Sequence, residues 1–165
     1  MALDDMFLKI EGARQGPING GSIDKQHTNE IDVLYWSWGL TGNVNAFDGK
    51  VGRMSMGELE IHKQVDPATT GLMSALRTNE SLKKAILTVR KAGGGATALE
   101  YFRITMEKAR ITSVTTGSAH ADAGPGLIEK VTIGFQKVRV EYQGQTDAGA
   151  SKGASTFETD LSDSQ

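Results

Sequence analysis

The chain has 165 residues, of which 20 are glycine, 3 are proline and none is cysteine, and its formal net charge is -2. The lack of cysteine excludes disulfides, thiolate metal sites and cysteine nucleophiles, and the small net charge argues against a dedicated nucleic-acid binder. This length is typical of one domain. No window approaches the ~20 apolar residues of a membrane helix, and the acidic pair Asp4 and Asp5 does not fit a secretory signal. We therefore expect no nucleic-acid partner and no membrane insertion, and any export must use a route without a cleaved signal.

An alternation of apolar and polar residues with a period of two predicts a mainly β fold. The pattern covers residues 6–10, 59–65, 85–89, 102–106 and 128–142. In the last of these the apolar residues change parity near Gln136 and Lys137. This change predicts a β-bulge or a strand that turns from one sheet into another. It fits a β-barrel-like core or a closely packed two-sheet sandwich.

The segment 33–38 concentrates both tryptophans, Trp36 and Trp38, next to Tyr35. One parity of this strand is predicted to face the core. The other parity then needs a sheet, a loop or a partner to cover it, because a strand that is apolar on both faces rarely meets water. The segment is therefore a first indication of assembly.

Residues 39–57 form a long, glycine-dotted connection with few strand signals, and connections of this length are usually functional or disordered. Shorter loops are expected at residues 93–95, between two strand patterns, and at 124–126.

Glu58, Glu60 and His62 alternate along a predicted strand and share one face, where they could bind a metal or act as acid and base. A solvated strand face is the favoured interpretation, because nothing else in the sequence completes a site. No phosphate loop, nucleophile elbow or zinc-protease motif is present. The sequence thus predicts no enzymatic activity and no cofactor.

One helix is predicted after these strands. Asp66 is a good N-cap, Pro67 fits the first helical position, and the helix should end near residues 78–79. Its apolar stripe consists of Leu72, Met73 and Leu76.

From residue 144 the composition turns to small and polar residues, so we expect a domain over 1–150 and a flexible tail over 151–165. Residues 80–110 carry a net charge of +4 and residues 144–165 one of -3. Both stretches could be ordinary solvated surface. Alternatively, they could complement each other between neighbouring copies of the chain.

Several stretches, in order, resemble the haemolysin-coregulated protein (Hcp) family of bacterial type VI secretion systems. The stretch EIDVLYWSWGL at residues 30–40 is similar to the family's "EI-V-SWSWG". MFLKI, LEIHK with VDPAT, LTVRKAG, EYFRIT through VTTG, and EKVTIGFQKVRVEY resemble its other strands, its helix start and its hairpin. The resemblance covers about residues 5–150.

The resemblance implies a β-barrel-like two-sheet core with one helix at its side. It also implies a homohexameric ring that stacks into the inner tube of the apparatus. The implied partners are the spike protein, the contractile sheath and the secreted effectors, and the protein would be cytoplasmic before firing and secreted afterwards. The long loop would contact the adjoining ring through Gly39, Leu40, Thr41, Asn43, Val44, Asn45, Phe47 and Lys50. Candidates for contacts between subunits are Trp36, Trp38, Arg90, Lys91 and Asp147.

Two other functions stay open at this stage. The chain could be a secreted effector, or an effector-binding chaperone or adaptor, that keeps the tube fold. A weaker alternative is a hydrolase built on Glu58, Glu60 and His62.

Overall fold

The computed structural model describes residues 4–42, 54–91, 99–118, 126–145 and 151–163. Within these ranges the chain is mainly β with one short α-helix, as predicted. In chain order, the strands are β1 (Asp4–Gly12), β2 (Gly16–Pro17), β3 (Ile31–Asp32), β4 (Tyr35–Ser37), β5 (Leu40–Thr41), β6 (Ser55–Met56), β7 (Leu59–Gln64), β8 (Leu82–Lys91), β9 (Glu100–Ser118), β10 (Leu127–Gln145) and β11 (Ser151–Asp160). Helix α1 (Ala68–Arg77) lies between β7 and β8, and a 3-10 turn (Leu161–Asp163) follows β11.

Nine strands form one antiparallel sheet, and β5 and β6 form a separate two-stranded sheet. The path of the large sheet runs β2-β1-β8-β9-β10-β7-β4, with β3 on β1 and β11 on β10. Its ladder does not close among the described residues, but the segment 31–37 spans the gap. Val33 donates its N–H to Met6 of β1, and Leu34 donates its N–H to His62 of β7. The sheet is therefore barrel-like without being a continuous closed ladder.

The predicted parity change in β10 is confirmed, and it belongs to a bend shared by neighbouring strands. Val131, Ile133 and Phe135 are buried on one parity, and Val138 is buried on the other. On β9 the change occurs at Lys108, whose φ of 52° is left-handed. Both strands turn at the same level, so Phe135 still pairs with Ala109, and Lys137 with Glu107. The register itself shifts elsewhere, between Thr132 and Ile133.

Helix α1 starts as predicted but buries a different stripe. The Asp66 side chain accepts the N–H of Ala68 at 2.9 Å, and Asn79 follows the helix with a left-handed φ of 52°. The side chains that face the sheet are Ala68, Thr69, Leu72 and Ala75. Met73 and Leu76, which we expected in the apolar stripe, are exposed. Small residues accompany Leu72 on the inner face. Gly71 faces the loop after β2, where an added Cβ would lie 3.0 Å from Ile18 Cγ2.

The C-terminal segment is an edge strand. Residues 151–160 pair with β10 from Lys137 to Gln145, although their composition predicted flexibility. The proposed boundary at residue 150 stays a prediction. The predicted loop at 93–95 lies outside the described residues, as does all of the loop at 124–126 except Gly126.

Candidate assembly surface

Three exposed apolar side chains lie together where the segment 31–37 meets β7 and β10. Leu34 is exposed beside β7, Val65 follows the end of β7, and Leu127 starts β10. The N–H of Val65 donates to the carbonyl of Leu127, and the N–H of Leu34 donates to the carbonyl of His62. The next residue, Tyr35, is 52% exposed and packs its ring edge against His62. This group, which we call the Leu34 patch, is apolar surface that a partner could cover.

The two tryptophans lie on the inner side of the same segment. The ring of Trp36 stacks on Phe102 with centroids 5.6 Å apart, and Trp38 lies 5.9 Å from Phe135. Both rings are half-buried against the core. The alternation in β4 thus sends the tryptophans inward and leaves Tyr35 outside. Leu34 shares the parity of the tryptophans but is exposed because it lies just before β4 begins. The role of Trp36 and Trp38 in contacts between subunits stays a prediction.

The long loop begins and ends as a short antiparallel arm. Leu40 pairs with Met56, and Thr41 pairs with Ser55. The N–H of Gly57 donates to the carbonyl of Gly39, and the indole N–H of Trp38 donates to the Gly57 carbonyl at 2.9 Å. The arm presents Leu40 to solvent. The other predicted stacking residues, Asn43, Val44, Asn45, Phe47 and Lys50, lie outside the described residues.

A second apolar group lies where β10 meets β11. Val140 pairs directly with Phe157, which is 40% exposed, and Tyr142 pairs with Phe102 on the other side. Tyr142 is also exposed, although it shares the parity of the buried Val138. The inner face of the sheet therefore continues past the core as an apolar strip, which we call the Phe157 strip.

Arg90 is buried and forms ion pairs within the protomer. It is 3% exposed, and its Nη2 lies 2.5 Å from Asp24 Oδ2 and 3.0 Å from Asp5 Oδ2. Hydrogen bonds from Arg90 lower the pKa of Asp24 to about 2. This burial argues against Arg90 as a contact between subunits. Lys91 is exposed with its Nζ 4.5 Å from the centre of the Tyr101 ring, and Asp147 lies outside the described residues.

One carboxylate of the tail forms an ion pair within the same chain. Asp160 Oδ2 lies 2.7 Å from Nζ of Lys108, and hydrogen bonds from Lys108 and Ser162 lower the pKa of Asp160. Arg139 and Glu158 face each other across the β10–β11 ladder. The predicted charge complementarity between copies is not needed for the Lys108–Asp160 contact, in which the basic stretch and the tail meet within one protomer.

The strand face with Glu58, Glu60 and His62 forms no composite site. His62 Nε2 lies 2.9 Å from Glu60, and this hydrogen bond lowers the pKa of the Glu60 carboxyl. Glu58 instead accepts a hydrogen bond from Thr112. Across the described ranges no three His, Asp or Glu side chains lie close enough to hold a metal ion. The arrangement is that of paired charges on a strand surface.

Sequence patterns missed a buried ionic cluster under the start of α1. Lys63 and Glu129 face each other across β7 and β10, both 0% exposed, with Nζ 2.5 Å from Oε2. Lys63 also lies 2.9 Å from Asp66 Oδ1, and Thr69 donates its hydroxyl to Glu129 at 2.8 Å. Lys63 shares the parity of Ile61, and that parity is the only signal that could have revealed its burial.

The chain is similar to known proteins in both sequence and fold. Residues 7–142 match the family described as "Type VI secretion system effector, Hcp". "Protein hcp1" of Pseudomonas aeruginosa is 38% identical over 152 residues, which cover 90% of this chain and 89% of that protein. The crystal structure of Hcp1 from Salmonella typhimurium is 30% identical, with a TM-score of 0.76 over 98% of this chain and 96% of the other. A type VI secretion system effector from Yersinia pestis is 26% identical, with a TM-score of 0.75 over 95% and 100%.

No helix within the described residues is both long enough and apolar enough to cross a membrane.

Proposed function

Because the chain belongs to the Hcp family of type VI secretion system effectors, we propose that it is a structural subunit of the inner tube of such a system. In this proposal six copies form a ring, the rings stack into a tube, and the tube carries effectors. The observation that carries the proposal is the match along nearly the whole of both chains, in sequence and in fold. A match of that extent leaves little of the chain for an unrelated activity.

The exposed apolar surfaces support contacts between copies. The Leu34 patch and the Phe157 strip are separate groups on one protomer. Head-to-tail contacts that join two different surfaces generate rings when the rotation closes, whereas a two-fold contact needs one self-complementary surface. We therefore assign the two groups to the contacts within the ring, with Trp36 and Trp38 behind them.

The long loop is assigned to contacts between rings. Its base is fixed by the β5–β6 pairing and by the hydrogen bond from Trp38 to Gly57. The base fixes where the loop begins and ends relative to the sheet. Gly39, Leu40 and Thr41 form this base, and Asn43, Val44, Asn45, Phe47 and Lys50 belong to the part assigned to the next ring.

The proposal includes partners and location. The spike protein, the contractile sheath and secreted effectors would bind the tube, and the protein would be cytoplasmic before firing and secreted afterwards without a cleaved signal. No enzymatic activity and no cofactor are part of the proposed function. The paired charges around Glu60 and His62 support this assignment, since each group has a partner on the strand surface.

A deletion strain tests the proposal against its main rival. Cells that lack the protein should stop secreting every effector of the apparatus if the chain builds the tube. Loss of a single cargo, with the others secreted normally, would instead identify an adaptor or a specialised effector. Complementation with the triple variant Glu58→Ala, Glu60→Ala, His62→Ala should restore secretion fully. Failure of that variant to restore secretion, despite normal expression and ring formation, would favour an activity at this face.

A further inference from the structure

A buried imidazole between two carboxylates fastens the loop that connects β2 and β3. His27 is 7% exposed, and its ring stacks on Phe7 with centroids 4.3 Å apart. Its Nδ1 lies 3.0 Å from Oε2 of Glu30, and its Nε2 lies 2.6 Å from Oε1 of Glu100. Glu30 belongs to the same loop, whereas Glu100 begins β9. The contact with Glu100 therefore joins the loop to the sheet.

Only one protonation state of the ring satisfies both contacts. A carboxylate accepts hydrogen bonds but does not donate them, and a neutral imidazole donates from a single nitrogen. The imidazolium donates from both nitrogens, one to Glu30 and one to Glu100. In the neutral ring, one nitrogen lone pair would face a carboxylate oxygen at hydrogen-bonding distance, and that contact would become repulsive.

Charged groups surround the ring on the elements packed against it. The loop contributes Asp24 and Glu30, β9 contributes Glu100 and Arg103, β1 contributes Asp5, and β8 contributes Arg90. Arg90 lies 5.0 Å from the centre of the same Phe7 ring on which His27 stacks. Asp32 of β3 pairs in register with Phe7, so with the imidazolium counted three cations lie among five carboxylates.

We propose that His27 is a proton-dependent latch: its imidazolium holds the loop of residues 18–30 against β9, and loss of that proton releases the segment around residues 27–30. The other attachment of the loop does not depend on the ring proton. Asp24 stays ionised because its pKa is about 2, so Arg90 continues to hold it. Opening is thus confined to the part of the loop that follows Asp24.

Three backbone hydrogen bonds report on the latch. The amides of His27, Asn29 and Glu30 donate to the carbonyls of Asp24, Ser22 and His27 at 2.9–3.2 Å. Nitrogen-15 NMR of the full-length protein should find both ring nitrogens of His27 protonated while these amides are protected from hydrogen exchange. When His27 loses its proton, their protection factors should fall about tenfold or more, which is the effect of one charge-assisted hydrogen bond on an opening equilibrium.

The variant Glu100→Gln distinguishes opening caused by His27 from a general loosening of the protein as the pH rises. The introduced amide can donate to an unprotonated Nε2 of His27 while its oxygen still accepts from Arg103, so the loop should stay closed across the titration. His62→Asn is the matched control, because His62 faces one carboxylate and half-exposed surface, and it should leave the loop unchanged. A neutral His27 beside protected amides overturns the latch, even without a variant. Undiminished protection after His27 titrates, or the same loss in Glu100→Gln, also overturns it.

Discussion

Removal of one member of the Lys63–Glu129 pair tests the energetics of the buried cluster. Glu129→Gln leaves the ammonium of Lys63 at 0% exposure, with Asp66 as its remaining carboxylate at 2.9 Å. Breaking a buried pair on one side typically costs about 3–5 kcal/mol. Since Asp66 stays, we expect a loss near the lower end, about 3 kcal/mol, which for a chain of this size lowers Tm by about 6–12 °C.

The double variant Lys63→Met, Glu129→Leu supplies the decisive comparison. It removes both charges and fills the space with apolar side chains, which is often neutral or stabilising by about 1–4 kcal/mol. Urea unfolding of parent, single and double variants should be measured at one protein concentration, because assembly makes apparent stability depend on concentration. The surface variant Glu60→Gln should leave the midpoint nearly unchanged. A Glu129→Gln variant as stable as the parent, or a double variant that loses as much stability as Glu129→Gln, would show that the buried pair does not act in this way.

Three further predictions concern the long loop, the close backbone contact at Gly20 and the response of the Asp24–Arg90 ion pair to acid. Phe47→Asp should leave single rings intact but weaken tubes in electron micrographs; tubes of unchanged length would count against a stacking role. Gly20→Ala places a Cβ 2.7 Å from the carbonyl oxygen of Glu30, so urea unfolding should show a loss of about 2 kcal/mol, and an unchanged midpoint would show that the backbone yields. Arg90 lowers the pKa of Asp24 to about 2. The ion pair therefore stabilises the fold fully above about pH 4, and this stabilisation is lost as the pH falls toward about 2. The stability gap between the parent and Asp24→Asn should narrow over that window, and a constant gap contradicts the assignment.

The alternating strands and the parity change could be predicted because burial on one face requires a period of two. The residue behind the bend could not, since Lys108 lies on the neighbouring strand and takes a left-handed conformation that its side chain does not require. The helix, too, could be predicted only in part. Asp66 and Asn79 mark its ends by local chemistry, whereas the burial of Ala75 and the exposure of Met73 depend on which face the helix turns toward the sheet.

The tail is ordered by its tertiary contacts, although its composition predicts flexibility. Residues 151–160 are small and polar, yet they pair with β10 because residues 137–145 of that strand offer a free edge. The charge of Asp160 is likewise met by Lys108, a contact over 52 positions that net charges cannot locate. For the assembly surface, the sequence indicated an apolar outer face at 33–38. It could not indicate the Phe157 strip, which exists only because β11 lies beside β10.

The proposed functional unit is a ring of six copies. Sedimentation of the purified protein, combined with negative-stain images, measures this directly. We expect a ring of six-fold symmetry, with a mass about six times the 17.7 kDa of one chain. A protein that stays strictly monomeric at high concentration, with no rings in the images, would contradict it.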